Sequence, residues 1–410
     1  MTVGRAGSRG MTDSTESTES TDSTESTAST DNADSTGNAD STEAAAALLA
    51  AEGILTAEQI RATARGVAAL QRPDGAIPWF HGGHLDPWDH TEAAMALDVA
   101  GRPAAALAAY RWLAAAQNPD GSWYAAYADA PDGVREPTNR LRETNFSAYI
   151  AVGVWHHWLA TGDEEFLAEM WEPVRRGIEF VLDLQAPGGQ IVWCRDEQDR
   201  DAGEALLTGC SSMYQALRCA LAIAEQVGHA RPDWELACGR LGHALVAHPE
   251  RFADKGTYSM DWYYPILGTA LRGTQAERRI AEGWERFVVP DLGARCVSTN
   301  VWVTGGETCE LVLALWALGD VDRARTLLRD IQHLRDEADG MYWTGYVYAV
   351  NDQGHQPAIW PQEKTAWTAG SVLLALAALA EEKATVAVFG GEGLPEGLPV
   401  ACSVQECLAV

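Results

Sequence analysis

The stretch AAAQNPDGSWYAAY (residues 114–127) runs from an alanine-rich segment through Gln117 and an Asp120-Gly121 turn to Trp123. The same word recurs as LQRPDGAIPW (70–79) and LQAPGGQIVW (184–193), and more loosely as IQHLRDEADGMYW (331–343). In each copy a helical pattern stops at glutamine, a turn of Pro, Asp or Gly reverses the chain, and a tryptophan follows. Outward from these joints the apolar residues repeat with helical spacing. They give twelve helices, over 57–71, 90–99, 103–117, 143–160, 164–185, 210–227, 234–246, 261–271, 276–287, 307–318, 321–334 and 363–379. Thr56-x-x-Gln59 is a capping box, Asp163 and Asp320 are caps, and Gly162 and Gly319 are stops.

The twelve fall into two alternating sets. The first, third and later odd helices are amphipathic, as in AERRIAEGWERF (276–287). The even ones are apolar nearly all round, as in LVLALWAL (311–318) and SVLLALAAL (371–379), and such helices are buried. Six buried and six exposed helices in alternation predict an all-α fold, an (α/α)6 barrel. Each glutamine word then sits where an outer helix ends and the chain crosses to the next inner helix, with its Trp laid over the barrel mouth. The inner helices open at that mouth with polar and aromatic turns: DPWDHTE (86–92), RETNFSAY (142–149), TGCSSMY (208–214), YSMDWYY (258–264), TGGETCE (304–310) and WPQEKTAW (360–367). Six helix N-termini around one Trp-lined pit suit an anionic or polyhydroxylated small molecule.

Composition narrows the function classes. Of 410 residues, 47% are hydrophobic and 21% charged, which fits a globular chain. A net charge of −28 argues against nucleic acid or an anionic membrane as partner. The Ser/Thr/Asp/Glu-rich start lacks the apolar residues that could offset its ordering entropy. The expected division is a disordered acidic tail over 1–44, the barrel over 45–385 and an extension over 386–410. There is no signal-peptide pattern and no apolar run long enough to span a membrane. The eight cysteines form no CxxC pair and fit reduced thiols in a cytoplasmic protein. His81, His84 and His90 share one loop without the fixed geometry of a metal site. No metal and no cofactor is expected.

Several candidates have a structural reading beside the chemical one. Glu92 and Glu307 sit three residues after Asp89 and Thr304, as capping-box partners would. Glu143 opens a buried helix with no capping partner. Glu363 sits between Trp360 and Trp367, next to Lys364 as a possible ion-pair partner. The run Asp196-Glu197-Gln198-Asp199 is either a solvated loop or a source of a carboxylate over the mouth. His156 and His157 read as core histidines.

The word QNPDGSWYAAY resembles the QW repeats of squalene-hopene-type terpene cyclases, and the whole chain is similar to bacterial proteins labelled prenyltransferases. A longer order of features over roughly 64–379 resembles the glucoamylase-like six-hairpin glycosidases: ALDVAG, QNPDGSWYAAY, HHWLATGDEEFLAEMWEPVRRGIEFVLDLQ, LALWALGDVDRARTLL and WTAGSVLLALAAL. The terpene cyclases' DxDD acid is absent here. The glycosidases' general acid falls by position on Cys194, after Trp193, and their base falls in Gly340–Thr344, which holds no carboxylate. The resemblance therefore implies the scaffold, with displaced catalytic groups.

The expected activity is glycoside hydrolysis with inversion, by two carboxylates about 6.5–9.5 Å apart. One of Glu143, Asp196 or Glu197 is the acid and Glu363 or Glu307 the base. Trp123, Trp262 and Trp343 form the sugar platform. Trp88, Asp89, His90, Asn145, Asp261, Tyr263 and Trp367 line the site. Two alternatives are an isoprenoid cyclase or transferase, which needs an apolar floor with one isolated acid, and an isomerase or non-catalytic relative, which leans on His90 and His156.

Overall fold

The computed structural model describes residues 41–129, 135–350, 354 and 356–400. Most of the expected acidic tail, 1–40, lies outside them. Residues 41–49 are a helix, α1, that buries Ala46 and Leu49, so the last four residues assigned to the tail are helical.

The outer ring is α2 (Ala57–Leu70), α4 (Pro103–Ala116), α6 (Glu164–Asp183), α8 (Pro232–Ala247), α10 (Gly273–Phe287) and α12 (Val321–Asp330). The inner ring is α3 (Pro87–Val99), α5 (Thr144–Thr161), α7 (Leu207–Gln226), α9 (Ser259–Leu267), α11 (Gly305–Ala317) and α13 (Ala366–Leu379). Each inner helix touches the next, and α13 closes back onto α3, so the (α/α)6 barrel is complete. The two sets bury as their sequences dictate. In α10 only Ala276, Ile280, Gly283 and Phe287 are buried, one face of a helix. In α3 and α13 the buried residues run right round the helix.

Local chemistry moves several boundaries. Helix α3 begins at Pro87 rather than 90, because the Asp86 side chain caps the amide of Asp89 and proline suits the first turn. Helix α9 ends at Leu267 rather than 271, where Thr269 turns left-handed at φ 68°. Helix α13 begins after Thr365, whose hydroxyl caps Thr368, so Glu363 precedes the helix.

Beneath the inner ring, a helix the sequence reading lacks, α14 (Lys383–Gly390), packs on α5, α11 and α13. The buried Arg218 of α7 holds the following segment by donating to the carbonyls of Gly391, Leu394 and Pro395. The chain after residue 386 is therefore continuous with the barrel up to residue 400. At the other end, short strands line the mouth: β1 (Ala126–Asp129) with β2 (Arg135–Asn139), β3 (Arg142–Glu143) with β4 (Cys194–Arg195), and one antiparallel sheet. The sheet runs β5 (Val288–Val289), β6 (Gly293–Arg295), β7 (Trp302–Thr304), β8 (Gly345–Val347) and β9 (Ala358–Ile359).

The recurring word is a staple between outer helices. The Gln71, Gln117 and Gln185 amides each donate twice. One bond goes to the glycine carbonyl of their own turn (Gly75, Gly121, Gly189). The other goes to the next outer helix, at Ala105, Pro173 and Ala237. Those glycines have φ of 96°, 94° and 98°. A Cβ on them would lie 2.2, 2.2 and 2.3 Å from the carbonyl oxygens of Ala108, Arg176 and Arg240. Only glycine fits both constraints. The looser fourth copy differs: Gln332 donates to Leu328 and accepts from the Tyr342 hydroxyl.

Candidate active site

A cavity of about 660 Å³ opens at the end of the barrel where the inner helices begin. All six contribute to its wall: Trp88 and Asp89 of α3, Asn145 and Phe146 of α5, Thr208 and Gly209 of α7, Met260 of α9, Glu307 of α11 and Trp367 of α13. Trp79, Trp302, Trp360 and Glu363 complete the rim. The diglycine of TGGET has a purpose here, since a Cβ on Gly306 would sit 2.4 Å from the Trp367 ring. That ring stacks on Trp79 at 6.0 Å.

The acids lie in two tiers. In the upper tier, Asp86, Asp89, Glu143, Glu307 and Glu363 face the cavity. Asp86 accepts from the Asp89 amide (2.9 Å) and the Trp79 indole (2.7 Å). Burial pushes the Asp89 carboxyl well above the usual carboxylate range, and the neighbouring Asp86 and Glu92 push it further. Burial, with Asp86 behind it, raises Glu143 to about 7. Glu307 is buried, and its Oε2 has no hydrogen-bond partner among the described residues. The Cys296 thiol beside it is raised by burial and then by the charge of Glu307.

The lower tier sits three residues further along the same helices. Glu92 accepts from the Trp88 indole (2.9 Å) and the Tyr149 hydroxyl (3.2 Å). Glu310 accepts from the Tyr263 and Tyr264 hydroxyls. Neither Glu92 nor Glu307 is a capping partner. Asp86 caps α3, and Thr304 makes no side-chain capping bond at α11, so the capping-box reading of Glu92 and Glu307 does not hold. Burial raises Glu92 to about 7 and Glu310 well above its ordinary range.

Of the expected site residues, Trp88, Asp89, Glu143, Asn145, Glu307, Glu363 and Trp367 meet in this cavity. The others do not. Asp196 lies in an exposed loop, where the Arg200 amide and guanidinium hold its carboxyl below the ordinary value, the opposite of what an acid catalyst needs. Glu197 is exposed beside it. Trp123 is fully buried and its indole donates to the Leu113 carbonyl. Trp343 lies under the Lys364 ammonium, 4.9 Å from its ring centre. Lys364 pairs with Asp336 and Asp339, leaving Glu363 without it.

Asp261 and Trp262 face a separate cavity of about 380 Å³. There Asp261 accepts from Thr208, and Trp262 donates to the Arg279 carbonyl. Tyr263 is buried on Glu310. His90 is also buried: its Nδ1 accepts from the Ile77 amide and its Nε2 meets the Ala109 carbonyl. His156 lies against Thr385 under α14. The isomerase reading thereby loses both of its histidines. Sequence reasoning weighed Glu92 only as a cap or a site residue and missed Asp86 and Glu310; Asp86-Pro87 is a visible helix start, whereas nothing local marks Glu310 as polar floor.

Among the described residues, none of the cavity's lining side chains is Lys or Arg. Five carboxyl groups there, with His84 as the one basic side chain among the described lining residues, oppose an anionic ligand such as a prenyl diphosphate. So many acids also differ from the apolar floor with one isolated acid that prenyl chemistry needs. Among the described residues, no cluster of His, Cys, Asp or Glu has the makings of a metal site and no helix is long and apolar enough to cross a membrane.

No family model matches the chain. Over 352 residues it is 51% identical to the MMP endo-(1,4)-3-O-methyl-alpha-D-mannosidase of Mycolicibacterium hassiacum, an alignment covering 85% of this chain and 94% of that one. Among solved structures, a glycosidase in complex with glucose has a TM-score of 0.60 at 15% identity, covering 79% of this chain and 96% of that one. A Klebsiella oxytoca rhamnosidase with rhamnose bound has 0.56 at 15%, covering 77% and 63%. A D-mannose isomerase has 0.58 at 11%, covering 79% and 96%. At these identities the structures show the shared fold. The chain is thus a glycoside hydrolase-like enzyme on an (α/α)6 barrel, and it belongs to the family of the Mycolicibacterium hassiacum mannosidase.

Proposed function

We propose that this enzyme hydrolyses internal α-(1,4) links of a 3-O-methylated mannan, with inversion at the anomeric carbon. The observation that carries the reading is a cavity whose acids stand against an uncharged wall of Trp79, Trp88, Phe146, Met260, Trp302 and Trp367. Indole faces stack on the C–H faces of sugars, and O-methyl groups add apolar surface that such a wall can bury. The mannosidase relative supports the linkage and the methylation.

Asp89 is the general acid. Asp86 is held by two donors, and the crowding of acids keeps the shared proton on Asp89, which delivers it to the departing glycosidic oxygen. Glu307 is the base. Its unpartnered Oε2 takes a proton from the attacking water. Glu143, Asn145 and Glu363 hold sugar hydroxyls.

Glu307→Gln and Asp89→Asn are each expected to lose at least about a thousandfold in kcat on the methylated oligosaccharide. The Asp89 variant recovers on a substrate whose activated aryl leaving group needs no proton. Proton NMR of the first product should show the β-anomer. An initial α-product, or full activity in Glu307→Gln, sinks the assignment. If Glu143→Gln rather than Asp89→Asn is rescued by the aryl substrate, the acid is Glu143.

A further inference from the structure

The five-stranded sheet buries Ala294, Val303 and Val347 and carries two tryptophans to the cavity rim. Trp360 is 48% exposed, while Trp302 beneath it is half-buried. Their rings meet edge to face at 5.2 Å. Both are fixed by main-chain bonds: the Trp302 indole donates to the Trp360 carbonyl (2.8 Å), and the Trp360 amide donates to the Gly345 carbonyl (3.0 Å). Gly345 is part of this construction, since a Cβ there would lie 2.5 Å from the Trp302 indole nitrogen. A large aromatic face left in water on an anchored backbone marks a binding surface, and this one is continuous with the cavity through Pro361 and Glu363.

We propose that Trp360, backed by Trp302, is an outer subsite that stacks one neutral, O-methylated hexose residue of the glycan where the chain leaves the cavity. This rests on the reading above, in which an internal link is cleaved, so that the polymer must continue beyond the cavity. The ligand is neutral because the adjoining wall carries five acids against a single histidine, His84, and no lysine or arginine among its described residues. The subsite makes affinity grow with chain length without adding a group to the reaction.

The test uses the full-length Glu307→Gln protein, titrated by calorimetry with α-(1,4)-linked 3-O-methylmannose oligosaccharides of increasing length. Affinity should rise about tenfold, the usual scale of one well-stacked ring, at the first length that reaches the rim. Adding Trp360→Ala should abolish that step, and Trp360→Phe should keep part of it. The alanine variant retains the main-chain carbonyl that holds Trp302, so its melting temperature should not move. A step that survives Trp360→Ala, or a loss equal at every length, overturns the subsite while leaving the hydrolytic reading intact. Failure of the unmutated enzyme to cleave oligosaccharides that Glu307→Gln binds overturns the hydrolytic reading instead. No binding at any length overturns both.

Discussion

Two spacings of three residues organise the chemistry. On α3, Asp89 faces the cavity and Glu92 lies buried one turn below. On α11, Glu307 and Glu310 repeat the arrangement. The lower glutamates have hydroxyl and indole donors but no cation, so burial favours their neutral forms. Burial and then Asp86 hold the proton on Asp89, and Glu92, which takes on charge near pH 7, adds to that hold. In Glu92→Gln this charge never forms, so Asp89 ionises earlier. The alkaline limb of kcat/KM is expected to move to lower pH, while kcat on the plateau changes less. An unmoved limb in a pH–rate profile rejects the coupling. Asp261 and Asp196 show why only part of the candidate list shares one cavity: local sequence marks a helix start or an acidic loop but not which cavity it meets.

At the scale of elements, the glutamine-turn word is a device for spacing the outer ring. In Gln117→Ala the carbonyls of Gly121 and Pro173 lose their donor, a cost of about 1–2 kcal/mol. Gly121→Ala adds a left-handed alanine and a clash with the Arg176 carbonyl, and is expected to cost about 3 kcal/mol or more. Chemical denaturation should rank them in that order; equal effects remove the steric argument. The helices were legible because periodicity repeats over ten or more residues. The strands were not, because pieces such as Val288–Val289 and Ala358–Ile359 are too short to show alternation and exist only through their partners. Helix α14 was folded into an extension for a related reason. Its eight residues are apolar without a long pattern, and only the barrel floor gives them a surface to bury.

For the whole molecule, the buried acids tie stability to pH. Glu92 and Glu143 carry protons in the fold up to about 7, whereas unfolded they release them near the ordinary glutamate value of 4.5. Between those limits the folded state binds more protons, so rising pH favours unfolding. Calorimetry should find the melting temperature higher near pH 5 than near pH 8, and the slope should flatten in a Glu92→Gln, Glu143→Gln double variant; a slope the double variant leaves unchanged refutes this source. By itself the sequence determined the twelve barrel helices, their division into two rings and the face on which the inner helices open, because amphipathic period and turn chemistry are local. The tertiary structure alone decided which acids share a cavity, that Trp123 lies in the core while Trp360 stands at the rim, and that Glu92 and Glu310 form a floor. Those properties depend on ring closure, which brings together residues hundreds of positions apart and sets how much water each can reach.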